Sequence, residues 1–102
     1  SAKESEKLGD QAFIYWIIFT LVAYSLSIAK GRVDLENGVQ RRRKIIDDIL
    51  SDSDISKAIR NYSCSQEESS WIPRAIAWRS SKLLEFACIR RAKEILRVRR
   101  RD

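Results

Sequence analysis

From Ala12 to Ala29 the chain reads AFIYWIIFTLVAYSLSIA, a run without charge, glycine or proline, fenced by Asp10 and Lys30. As a helix rising ~1.5 Å per residue it would be roughly 27 Å long, close to the ~30 Å hydrocarbon core of a bilayer. The pattern therefore predicts a transmembrane helix over residues 12–30. Two other readings compete with it. A buried helix of a soluble domain would need apolar partners on all its faces, and the rest of the chain is short and heavily charged. An interfacial helix would show one strongly polar face. A cleaved signal peptide fits less well, because residues 1–11 carry Lys3 and Lys7 against Glu4, Glu6 and Asp10, not a basic leader.

The run has two faces. At ~100° per residue Thr20, Tyr24 and Ser27 share a stripe with Ala23 and Trp16 at its edge, and Ile14, Ile18, Leu21, Val22 and Leu26 lie opposite. Membrane helices pack through small and hydroxyl residues, where backbones approach closely. Thr20, Ala23, Tyr24 and Ser27 are thus the expected packing face. The alternative is that the hydroxyls bond their own helix carbonyls. Tyr15 and Trp16 sit near one end of the run, a depth that amphipathic rings favour.

Residues 1–11 read as a polar tail. After the run, Gly31 suits a helix C-cap. Asp34 can cap a helix over about 35–50, in which Leu35, Val39, Ile46, Ile49 and Leu50 recur at helical spacing, with Gly38 weakening its first turn. Ser51-Asp52-Ser53-Asp54 is a break with strong N-cap chemistry, predicting a short helix to Asn61. Ser63 to Ser70 is the clear linker, with a weak capping-box signal at Ser65-Gln66-Glu67-Glu68. Pro73 suits a first helical turn, and from there to about Arg100 nothing breaks the pattern. One face of that long helix carries Ile76, Leu84, Cys88, Ile95 and Val98. The opposite face carries Arg79, Lys82, Arg90, Lys93, Arg97 and Arg100. No strand alternation or repeat occurs. The expected fold is all-α: one transmembrane helix, then two or three amphipathic helices, the last long and basic. It divides into a tail at 1–11, a span at 12–30 and a helical membrane-peripheral region at 31–102.

Charge adds orientation. The chain of 102 residues carries a net +6, and Lys30, Arg32 and Arg41-Arg42-Arg43-Lys44 follow the run closely. The positive-inside rule then puts the N-terminus outside and the C-terminal part on the matrix, stromal or cytosolic side. The lack of any Met suggests a processed product, and a removed organelle transit peptide is one explanation. This favours an organelle inner or thylakoid membrane.

Chemistry narrows the function by subtraction. With two cysteines and no histidine the chain falls short of the four ligands of a zinc site and holds no Ser–His pair. Asp47-Asp48 and Glu67-Glu68 are neighbours that do not face each other on a helix. No cofactor motif is present, and no enzyme is expected. Cys64 and Cys88 are expected as free thiols in a reducing compartment. Trp71 and Trp78 are expected in the core or in protein contacts, with stacking on bases as the weaker alternative. The basic face is a solvated surface, or meets acidic protein or anionic lipid, or binds nucleic acid; the last ranks lowest, because only Phe86 interleaves it for stacking. The expected function is a non-catalytic single-pass accessory subunit of a large organellar membrane complex, a chloroplast or mitochondrial one. Its partners are other membrane subunits and lipid, docked through the apolar face of the last helix. The alternative is an anchor or assembly factor recruiting RNA, a ribosome or a protein through the basic helix.

Overall fold

The computed structural model describes residues 1–101; Asp102, the end of the predicted peripheral region, lies outside the described residues. The fold is all-α, with no strand among the described residues and one helix long and apolar enough to cross a membrane. Its elements are α1 (Ala2–Ala29), α2 (Leu35–Ser51), α3 (Ser53–Ala58) continued by a 3-10 turn (Ile59–Asn61), α4 (Trp71–Ala77) and α5 (Ser81–Arg101). Four helices thus follow the first, not two or three.

The polar tail is part of α1. A capping box starts the helix: the Glu4 amide donates to Ser1 Oγ at 3.3 Å, and the Ser1 ammonium donates back to the Glu4 carboxylate at 3.4 Å. Further on, the Gln11 amide clamps the Ser63 backbone through two 2.8 Å bonds, and Asn61 donates to Asp10 at 2.7 Å. At ~1.5 Å per residue α1 is about 42 Å long, so it sets the 45 Å long axis of the molecule.

The second correction concerns the predicted helix from Pro73 to Arg100, which is two helices. Arg79 takes the left-handed conformation at φ 56°. The Ser80 amide donates to the Ala75 carbonyl at 3.0 Å and the Arg79 amide to Ile76 at 3.1 Å. That is the hydrogen-bond pattern of a Schellman ending, with arginine where glycine usually stands. Ser80 then caps α5, accepting at Oγ from the Leu83 amide at 3.2 Å. The Arg79 guanidinium donates to the Leu50 carbonyl from Nε and Nη2, at 3.2 and 3.1 Å, and so closes the C-terminus of α2.

α1 and α5 pack directly on each other, and α2 lies against both and runs opposite to them. Gly38 meets Ile28 near the end of α1, Arg42 meets Ser25, and Arg42 and Arg43 meet Glu85 on α5. A Cβ on Gly38 would approach Ile28 Cγ1 to 3.0 Å, so the glycine inside α2 serves close packing. α1 contributes Ile14, Ile18 and Leu21 to one core with Ile46 of α2, Ile55 and Ala58 of α3, Ile72 and Ile76 of α4, and Leu84, Ala87 and Cys88 of α5. Burying a Leu or Ile side chain contributes ~1.5–3 kcal/mol. The chain therefore owns a core that its charge content did not suggest.

Candidate functional site

The stripe of α1 turned into the core is Ile14, Ile18, Leu21, Ser25 and Ile28. The opposite stripe is turned away from the core. Phe13, Trp16, Thr20 and Ala23 are exposed along it, with Tyr24 and Ser27 half-buried. Phe19 stacks on Trp16 at 6.0 Å between centroids and on Tyr15 at 6.5 Å, which makes one patch of exposed rings. The expected packing residues Thr20, Ala23, Tyr24 and Ser27 thus lie on the free side of α1, and the face opposite them covers the chain's own core. Two hydroxyls are already used within the helix. Thr20 Oγ1 donates to the Trp16 carbonyl at 2.8 Å and Ser27 Oγ to the Ala23 carbonyl at 3.2 Å. What faces outward is mostly apolar, uncharged and about four turns long.

The predicted docking face of the last helix has divided in the same way. Ile76, Leu84 and Cys88 are buried in the core. Ile95 is half-buried in a furrow beside Val22 and Leu26 of α1, which Arg91 and Arg99 also line. Val98 is 60% exposed. Of the predicted basic face, Arg79 belongs to the α4–α5 corner. Lys82, Arg90, Lys93, Arg97 and Arg100 are exposed on α5, with Arg90 paired to Glu94 at 3.4 Å. Arg91 donates to the Glu67 carbonyl at 3.2 Å and holds the 63–70 linker. Within that linker Glu68 accepts from the Tyr62 hydroxyl at 3.0 Å and from the Ser65 amide at 3.0 Å. Burial and then the Glu68 contact push the Tyr62 phenol well above its usual range.

Trp71 and Trp78 are exposed and meet edge to face at 6.5 Å, with the Arg74 guanidinium 5.3 Å from the Trp71 ring centre. They are not core. Both cysteines are free, Cys64 exposed and Cys88 buried. Burial pushes the Cys88 thiol up to about 12, which keeps it protonated at neutral pH. The Cys64 thiol is raised too, by burial first and then by its contact with Glu68. Among the described residues no three His, Cys, Asp or Glu side chains converge as metal ligands.

One cluster escaped the sequence reading. Arg42 is 3% exposed, and Ser25 beneath it is 2% exposed. Arg42 Nη1 donates to Ser25 Oγ at 3.4 Å and Nη2 lies 3.7 Å from Glu85, while Nε has no partner. Glu85 is held more tightly by Arg43, at 3.0 Å. The signal was present: position 42 lies on the same helical stripe as Val39, Ile46 and Ile49. The run Arg41–Lys44 entered the sequence reading only as charge that follows the apolar run, which hid its inward member.

No protein family, curated protein or solved structure matches this chain.

Proposed function

We propose that the protein is a non-catalytic accessory subunit of a membrane assembly, attached through the free face of α1. One observation carries this reading: the uncharged, ring-rich face from Phe13 to Ser27 is turned away from the core, and no other helix covers it among the described residues. Exposed apolar patches of this kind mark protein or membrane contacts. The Lys and Arg residues that follow α1 suit an anionic membrane surface of the cytosol-, matrix- or stroma-equivalent side, which supports placing the α2–α5 body there. The attachment is lateral. A lone span would need Ile14, Ile18, Leu21 and Ile28 facing lipid or a partner, and the core uses those same residues. Carrying the body into the bilayer with α1 would immerse Arg91 and Arg99, which flank it, at ~2.5–3.5 kcal/mol each near the centre.

Membrane fractionation with native electrophoresis tests the proposal. High salt should leave the protein in the pellet and in one stoichiometric complex, and alkaline carbonate should release it. Trp16→Ser with Phe19→Ser should detach it at any salt. Resistance to carbonate would replace lateral attachment by a true crossing of α1 after the body lets go. Release by high salt alone, or loss of binding in Arg97→Gln with Arg100→Gln but not in the ring variant, would overturn the subunit reading in favour of a basic recruiter.

A further inference from the structure

The buried Arg42 opens on a groove that the subunit reading does not use. Between α1, α2 and α5 lies a cleft of about 680 Å³ whose walls include Ile28, Val33, Val39, Ile89 and Ala92. That is within the usual volume range of small-molecule pockets, ~300–1,000 Å³. Its polar members are few: Ser25, Arg42, Lys93 and Asp34. Asp34 is already committed, its carboxylate accepting from the Asn37 amide at 3.1 Å as the cap of α2. Lys93 is exposed and makes no ion pair among the described residues.

Arg42 is under-satisfied. Its bond to Ser25 is long at 3.4 Å, its carboxylate neighbour at 3.7 Å is shared with Arg43, and its Nε is buried without a partner. A buried guanidinium in that state favours a further anion. The apolar walls favour an acyl chain. We propose that this groove binds a long-chain fatty acid, its chain along Ile28, Val39 and Ile89 and its carboxylate on Arg42 and Lys93. A planar carboxylate matches the guanidinium fork, and its two oxygens can take donors that Ser25 and Glu85 engage weakly. The fixed Asp34 charge nearby disfavours a dianionic head and so favours a carboxylate over a phosphate monoester.

The site needs only the folded chain, with α1 packed on α2 and α5, so it is tested on the purified full chain without lipid. Fluorescence titration with cis-parinaric acid should show saturable binding at one site, displaced by palmitate but not by its methyl ester. Ile89→Trp, which fills the groove from a half-buried position, should abolish binding while far-UV circular dichroism stays unchanged. Arg42→Gln should weaken binding by about tenfold or more, the scale of a lost charge-assisted hydrogen bond. Should Arg42→Gln lose helicity, Lys93→Glu, at an exposed position, carries the charge test with the same expected direction. Lys57→Ala, exposed on α3 and outside the groove, should bind as the natural chain does. The proposal is overturned by non-saturable uptake, by equal displacement with acid and methyl ester, by full binding in Ile89→Trp, or by displacement with phosphatidylglycerol vesicles and not with palmitate.

Discussion

Arg79 holds a corner that a glycine would hold with less strain. A left-handed conformation costs a non-glycine residue ~1–2 kcal/mol, and the two bonds from its guanidinium to Leu50 offset that cost. Arg79→Ala keeps the strain and loses the bonds, so it should destabilise by roughly 1–3 kcal/mol. Arg79→Gly loses the same bonds without the strain, and should be the milder variant by about 1 kcal/mol in chemical denaturation. Equal losses would mean the corner is unstrained. Cys88 makes a second test. Its folded thiol is raised to about 12 from an ordinary 9.0, so between those values the unfolded chain binds fewer protons. Its contribution to stability is complete below pH 9 and is lost as pH rises toward 12. Denaturation at pH 8 and pH 10.5 should show a fall in the natural chain that is smaller in Cys88→Ala. Alkylating reagents should modify exposed Cys64 in the native state and reach Cys88 only after unfolding.

The helix faces have separate roles. On α5 the apolar stripe is core at its start and free at its end. Leu84→Ala should therefore cost ~2–5 kcal/mol of stability, whereas Val98→Asp, on an exposed turn, should stay within ~0.5 kcal/mol. Docking experiments that mutate Leu84 would measure unfolding, so Ile95 and Val98 are the positions that report on a partner. On α1 the contrast is sharper. Leu21→Asp, with its side chain 1% exposed, should abolish folding. Trp16→Ser with Phe19→Ser should leave thermal stability nearly unchanged and remove association alone. If the ring variant melts far below the natural chain, the rings support the fold and the attachment face is elsewhere.

Taken whole, the molecule sets two uses of α1 against each other. The helix is apolar enough to cross a bilayer, yet its inner stripe anchors α2, α3 and α5. The body can release α1 only by exposing Ile46, Ile55, Leu84 and Cys88, so crossing and folding are coupled. Engineered constraint of α1 against α2 should leave lateral attachment intact and block carbonate-resistant insertion, as read by fractionation. An insertion that proceeds under that constraint would separate the two.

The helical class, the apolar run and the caps at Asp34 and Asp52 were legible because each depends on residues within a turn or two of one another. Hydrophobic spacing and capping chemistry are local, and so they are written locally. The break at Arg79 was not, since no glycine or proline marks it; only the meeting of α4 with the end of α2 makes an arginine hold that conformation. The orientation of α1 was not legible either. Its two faces differ only by a few hydroxyls, which does not say which one turns inward until a partner exists, and the partner stripe is assembled from α2, α3 and α5. Ser25 and Arg42 show why the polar cluster was hidden: seventeen residues separate them, and neither becomes a buried polar group until α2 folds back across α1.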